Sequence, residues 1–366
     1  MKICKKCLML ETRPRLTFDE NGICAACQWA EEKKTKIDWD SRYDELEELC
    51  DRIRGRQRYD CIVPVSGGKD STYVAHKMKH ELKLNILTVT ITPPLETNLI
   101  QENMENFLSF GYDNLKITPN PKIAQHINKF GLIEQGRPLL SWTSCLNSVM
   151  FSLATTMKIP LVMFGEEGES EYGGSTKLRY TPFYDIQDAI ELYTYGNNPT
   201  QYMNEFDSRE LALWQYPTKE ELIDFSFRVS HWSYFENWDP YRHFVFARDH
   251  YNMKSSKNRN KGTYTDYGQL DTPLYSLHTY LMYLKFGFGR CLQDACIDIR
   301  GGRLNRKDAL EIVKKYDGEF LEESVPIYLN YYKITREEFN NILDKHTNKK
   351  IFEKIDSIWL PRFSIE

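Results

Sequence analysis

The chain has 366 residues, of which 41% are apolar and 27% charged, and a formal net charge of −4. This composition excludes a disordered chain and predicts a soluble globular protein with core enough for one large domain or two ordinary ones. The acidic balance argues against general nucleic-acid binding, leaving only a local basic patch open.

Residues 1–32 hold Cys4 and Cys7, then Cys24 and Cys27, spaced C-x2-C-x16-C-x2-C. Two such pairs present four thiolates to one tetrahedral Zn²⁺. A four-thiolate site has no open position for substrate, so the expected zinc is structural and folds a segment with little core of its own. Cys50, Cys61, Cys145, Cys291 and Cys296 share no such spacing and read as small buried hydrophobes. A charged helix follows in "DWDSRYDELEELCDRIRG", with Tyr43, Leu46, Leu49 and Ile53 at helical spacing and Gly55 as its stop.

Strands and helices then alternate. "DCIVPV" is a buried strand, and "KDSTYVAHKMKHEL" sets Val74, Met78 and Leu82 on one helical face. "NILTVTI" is a second strand, followed by the helix "TNLIQENMENFLSFG" with Thr97 as N-cap and Gly111 as C-cap. "LKIT" is a third strand, "IAQHINKFGLIEQ" and "LNSVMFSLATTMK" are helices, and "PLVMFG" closes as a fourth strand. This order predicts an α/β fold, a doubly wound parallel sheet over about residues 58–180, within a domain spanning 33–180. Beyond it, residues 181–366 read as a mainly helical, aromatic-rich region for substrate or partner, with "TKEELIDFSFRVSHWSYF" among its helical segments. Its rings are chiefly core, with some free to stack on a sugar or base. The loop "KSSKNRNKGTY" is either a solvated turn or a cover for an anionic substrate. The apolar stretch "LYSLHTYLMYLKFGFG" carries His278 and Lys285 and is too short and polar to cross a bilayer. With no cleavable signal visible, the expected location is the cytoplasm, where the cysteines form no disulfide set.

"VSGGKDS" follows the first strand directly and opens the next helix. It fits neither G-x-x-x-x-G-K-[ST] nor G-x-G-x-x-G. Its parts nevertheless suit a phosphate. Gly67 and Gly68 let amides approach closely and permit positive φ, while the helix beginning near Lys69 turns its N-terminal amides to the same spot. Ser66 and Ser71 supply hydroxyls and Lys69 a charge. The alternative is an ordinary strand–helix turn with a glycine pair.

The loop resembles the PP-loop of the adenine-nucleotide α-hydrolase-like ATP pyrophosphatases. With "GYDNLKITPN", "IPLVMFGEEGESEYGG", "KGTYTDYGQLD", "LKFGFGRCLQDACIDIRGGRLNRKDAL" and "KKYDGEF", the chain is similar to the N-acetyl sugar amidotransferases of the pseudaminic acid and LPS or flagellin-modifying type, from the cysteine knuckle nearly to the C-terminus. The resemblance implies conversion of an N-acetyl group on a nucleotide-activated sugar to acetamidino, with ATP giving AMP and pyrophosphate. It assigns Ser66, Gly67, Gly68, Lys69, Asp70 and Ser71 to the β,γ-phosphates, with Mg²⁺ as the accompanying ion. Thr90 and Ile91, ending the second strand, are expected to meet the adenine through backbone groups. Glu166 and Glu171, just beyond the fourth strand, are candidates for metal or substrate contact, the alternative being a solvated acidic loop. Tyr264, Asp266, Lys285, Arg290 and Arg303 are candidates for the sugar-nucleotide, or alternatively surface and salt-bridge residues.

Residue 2 is Lys, so no N-terminal-cysteine glutaminase is expected, and no segment is left for a Cys–His–Glu glutaminase. The resemblance implies ammonia from a separate HisH-like glutaminase, with a HisF-like companion. Two other readings compete. A PP-loop tRNA thiolase would use a cysteine such as Cys145 to carry sulfur, and a zinc-stapled nucleotide sensor would perform no chemistry.

Overall fold

Alternating apolar residues of the short strands sort to two sides of one sheet. The computed structural model describes residues 1–193, 205–356 and 358–366. After α1 (Ala25–Thr35) and α2 (Trp39–Ile53), the chain runs β1 (Cys61–Pro64), α3 (Lys69–His76), β2 (Ile86–Ile91), α4 (Asn98–Ser109), β3 (Asn114–Ile117), α5 (Pro121–Phe130), α6 (Leu140–Met157) and β4 (Leu161–Phe164). Cys61, Val63, Val65, Leu161 and Met163 bury against α2, α3 and α4. Ile62, Leu87, Val89, Ile91 and Val162 bury on the other side, under α5 and α6. Both faces are therefore covered, as a parallel sheet requires. The predicted Thr97 cap forms, its hydroxyl accepting from the Ile100 amide at 3.2 Å.

The next elements are α7 (Gly168–Tyr172), β5 (Phe183–Tyr184), α8 (Ile186–Tyr193), α9 (Lys219–Asp224), β6 (Arg228–His231) and α10 (Pro240–Tyr251). Here the structure departs from the sequence reading, which ends the sheet at its fourth strand. Among the described residues the sheet has six strands in the order β3-β2-β1-β4-β6-β5, with β5 alone antiparallel to its neighbour. The segment read as one helix, "TKEELIDFSFRVSHWSYF", splits. A capping box between Thr218 and Glu221 starts α9, but Phe225 is extended and Val229 pairs with Val162. The open ladder of β4 outweighs the helical pattern, a tertiary override that local periodicity does not register.

The remainder is α11 (Leu274–Phe286), α12 (Arg290–Arg300), α13 (Arg306–Tyr316), α14 (Val325–Tyr332), α15 (Arg336–His346) and the hairpin β7 (Phe352–Ile355) and β8 (Ile358–Pro361). The helical expectation holds here. α11, α14 and α15 share one core, whereas α12 and α13 close over the N-terminal cysteines, burying Leu8, Met9 and Leu10 with Phe288, Leu292 and Val313. Among the described residues no helix is long and apolar enough to cross a membrane.

Candidate active site

The strand order makes β1 the switch point, with β2 on one side and β4 on the other. The loops leaving β1 and β4 therefore border the crevice where such sheets bind ligands. Gly67 turns the first loop at φ +79°, and a Cβ there would lie 2.9 Å from the Met104 amide nitrogen of α4. Gly68 ends the loop as N-cap of α3 and contributes no side-chain cap. The Ser71 hydroxyl donates to the Gly68 carbonyl at 3.2 Å and stands 3.4 Å from the Ser66 amide, closing the loop on itself.

Asp70 is the hub. Lys69 Nζ lies 2.6 Å from one carboxylate oxygen, and His243 Nδ1, from α10, lies 2.9 Å from the other. Burial alone would push this carboxyl up, but the Lys69 charge and the His243 hydrogen bond outweigh it and hold it at about 2. Asp70 is thus an acceptor at neutral pH. Burial lowers the His243 pKa despite Asp70, so the imidazole is neutral with its proton on Nδ1, donated to Asp70. The ring is fully buried, stacks on Tyr73 at 4.2 Å, and leaves Nε2 without a partner.

Facing this hub is a cavity of about 380 Å³, walled by Lys69, Asp70, Glu166, Tyr172, Tyr267, Asp271, Arg290 and Arg303 among others. Burial and then the Asp70 charge raise Glu166 to about 7. Burial raises Asp271 to about 6, opposed by a Ser66 hydrogen bond. Among the described ion pairs neither carboxylate has a cation partner, whereas every cation of the wall has one. Arg290 binds Asp294 at 2.8 Å, and Arg303 binds both Asp298 at 2.9 Å and Asp239 at 2.8 Å. Gly301 makes room for this, since a Cβ there would meet the Arg303 guanidinium at 2.8 Å.

Of the residues singled out in the sequence, Ser66, Gly68, Lys69, Asp70, Ser71, Ile91, Glu166, Arg290 and Arg303 meet on this cavity. Others stand elsewhere. Gly67 supports the loop from behind. The Thr90 hydroxyl is buried and accepts from Asn114 at 3.0 Å. Glu171 is not on this cavity; it is buried in an ion pair with Lys33 at 2.6 Å and accepts from the Trp29 indole at 3.2 Å, tying α7 to α1. Lys285 is also elsewhere, donating to the Gln135 and Gly136 carbonyls. Tyr264 reaches the wall only through Asp298, and Asp266 accepts from Ser255. Three of the basic loop's four cations are occupied as well: Arg259 and Lys261 by Glu319, Lys254 by Glu102. Sequence reasoning missed His243, which sits in no quoted motif, and it passed over Tyr267, Asp271, Asp294 and Asp298 within the stretches "KGTYTDYGQLD" and "LKFGFGRCLQDACIDIRGGRLNRKDAL".

The sulfurs of Cys4, Cys7, Cys24 and Cys27 are buried and lie within 4.8 Å of one another, an arrangement suited to a metal. Amides of Cys7, Met9 and Cys24 point to these sulfurs at 3.3–3.5 Å. By contrast, Cys145 Sγ donates to the Leu213 carbonyl at 3.4 Å, and burial pushes its thiol up to about 12.

Residues 261–363 match the family model of the C-terminal domain of WbpG-like LPS biosynthesis proteins, a stretch that includes Tyr267, Asp271, Arg290 and Arg303. No curated protein matches the chain. Among solved structures, the chain is similar to an NH3-dependent NAD synthetase from Campylobacter jejuni subsp. jejuni NCTC 11168 (16% identity, 51% of this chain, 83% of that one, TM-score 0.27). It is also similar to the U34-tRNA thiolase NcsA from Methanococcus maripaludis with its [4Fe-4S] cluster (10% identity, 86% and 87%, TM-score 0.36). A third is an NMN synthetase from Francisella tularensis (14% identity, 62% and 100%, TM-score 0.26).

Proposed function

We propose that the protein is an ATP-dependent amidotransferase that converts the acetamido group of a nucleotide-activated sugar to acetamidino, for a surface polysaccharide or flagellin glycan. The observation that carries the reading is one cavity with two sources. The glycine loop and Glu166 come from the switch point of the sheet, and Tyr267, Asp271, Arg290 and Arg303 come from the stretch that matches the LPS biosynthesis domain.

An amide carbonyl is a poor electrophile, so its oxygen must become a leaving group. In the proposed reaction the acetamido oxygen attacks the α-phosphorus of ATP and pyrophosphate departs. Ammonia then adds to the imidate carbon, a proton leaves the nitrogen, and AMP departs with the oxygen. Lys69 and the N-terminal end of α3 face the departing diphosphate, a task of positioning and charge neutralisation. Asp70, Glu166 and Asp271 suit Mg²⁺, a hard ion that takes carboxylate oxygens and neutralises polyphosphate charge. The wall's carboxylates (Asp70, Glu166, Asp271, Asp294 and Asp298) outnumber Lys69, Arg290 and Arg303, which favours a cationic amidinium product.

In this reading ammonia comes from a separate HisH-like glutaminase, with a HisF-like companion. The cysteine cluster is read as structural zinc. Two of its sulfur separations, Cys4–Cys27 at 3.9 Å and Cys7–Cys24 at 3.7 Å, are close to the edge of a thiolate tetrahedron, about 3.8 Å for a Zn–S bond of about 2.3 Å.

The test is mass spectrometry of CMP- and UDP-linked acetamido sugars incubated with the protein, ATP, Mg²⁺ and ammonium. Exchange of carbonyl oxygen for NH lowers the product mass by about one unit; unchanged sugars with ATP intact would sink the reading. Cys145→Ser separates it from a thiolase. An amidotransferase retains most of its turnover, whereas a sulfur carrier loses it.

A further inference from the structure

His243 is a costly residue for the place it occupies. Its ring is fully buried, stacked on Tyr73 at 4.2 Å and met edge-on by Trp238 at 4.3 Å. An apolar ring would fill that slot with no polar group to satisfy. The imidazole makes one hydrogen bond, from Nδ1 to Asp70 at 2.9 Å, and among the described residues no group meets Nε2. A buried nitrogen left without a partner is unfavourable. The use of a histidine here therefore lies in its bond to Asp70.

The two partners of Asp70 differ in how firmly they are held. His243 comes from α10, whose N-cap Asp239 accepts from the Tyr241 amide at 3.0 Å and is gripped in turn by Arg303 at 2.8 Å. Tyr73, on which the imidazole stacks, is anchored as well, its hydroxyl donating to Glu236 at 2.8 Å. The ring is thus clamped from several elements at once. Lys69 is different: its ammonium ends a flexible four-carbon stem and stands on the cavity wall. A polyphosphate in the cavity carries more negative charge than one carboxylate and competes for that ammonium. Once Lys69 turns to it, one Asp70 oxygen is released while the other stays on His243.

We infer that His243 is a positioning residue: its Nδ1–H pins one oxygen of Asp70, so that the oxygen Lys69 gives up to the nucleotide is held ready for the accompanying divalent cation. Without that bond the carboxylate is free to follow Lys69 into other rotamers, and the cation loses a ligand of set direction. The inference rests on the ATP half of the proposed reaction and not on the identity of the sugar.

The test is calorimetric titration of the full chain with α,β-methylene-ATP, in EDTA and in Mg²⁺, which gives the factor by which the ion tightens nucleotide binding. His243→Phe keeps the stacked ring and removes the donor. His243→Asn sets an amide N–H where Nδ1 stands, and His243→Gln sets it where Nε2 stands, out of line with Asp70. In the Phe and Gln variants the Mg²⁺ factor should fall at least about tenfold, with the affinity in EDTA within about twofold of the parent. The Asn variant should return the factor to within about threefold. An unchanged factor in His243→Phe, an equal loss with and without Mg²⁺, or an Asn variant as impaired as Gln would overturn the inference. Should His243→Phe fail to fold, the Asn and Gln pair decides, since both are amides and differ in reach. Acetamidino product from the parent with an unchanged Mg²⁺ factor in the variants would overturn the inference and leave the amidotransferase reading standing. The expected factors with no such product would do the opposite, and no nucleotide binding by the parent would overturn both.

Discussion

Gly67 meets two demands at once, a left-handed backbone and a surface pressed against α4. Gly67→Ala should therefore cost about 2–3 kcal/mol in urea denaturation. Gly68→Ala, whose Cβ would meet only the Ser66 hydroxyl at 3.4 Å, should stay within about 0.5 kcal/mol of the parent yet weaken ATP binding, because that Cβ stands on the cavity wall. Glu166 carries a pH signature. Its carboxyl sits at about 7 in the folded chain against 4.5 as a free side chain, so the folded state binds more protons between those values. The stability it contributes is complete below pH 4.5 and lost as pH rises through 7. Glu166→Gln should accordingly raise the stability of the unliganded protein at pH 8 by about 1–3 kcal/mol, a gain that vanishes in melts at pH 4. At this scale, what is consecutive was legible. Ser66 to Ser71 declare their chemistry side by side, whereas His243 meets Asp70 across 173 residues and Asp271 reaches Ser66 only through the fold.

The clasp between α1 and α7 shows how elements hold the site. Lys33 and Glu171 are each 7% exposed at the side chain, so neither charge is solvated once its partner is gone. Lys33→Met should cost about 3–5 kcal/mol, and adding Glu171→Leu should recover much of it, measured as a double-mutant cycle in urea. The sequence placed Glu171 with Glu166 because both lie just past β4. The one turn of α7 turns them apart, Glu166 into the cavity and Glu171 back to the knuckle. The first four strands could be read because each is a short apolar run between helices. β6 could not, because Arg228–His231 becomes a strand only through its pairing with β4. Lys285 was misplaced for a related reason: its charge suggested an anion, but the fold turned it to two carbonyls at the end of the Gly131–Gln135 turn.

At the scale of the molecule, the cysteine cluster lies outside the cavity yet braces it. α1 leaves the knuckle and carries Trp29 and Lys33, which fix Glu171 next to the cavity residue Tyr172. Metal analysis should return the one zinc per chain proposed above, and stripping that proposed zinc with a chelator should leave the sheet folded and weaken ATP binding at least about tenfold. Unchanged ATP affinity in the metal-free protein would show that the brace carries no weight at the site. The knuckle, the first four strands of the sheet and the helical region could each be foreseen from spacing and periodicity. Their mutual packing could not, because it depends on contacts between the two ends of the chain. Leu8, Met9 and Leu10 are covered by Phe288, Leu292 and Val313. On the ribosome, then, the first thirty or so residues emerge long before the helices that shield them. Through most of synthesis the greasy underside of the cysteine loop has no native cover, so the nascent chain needs shelter there until its last helices arrive.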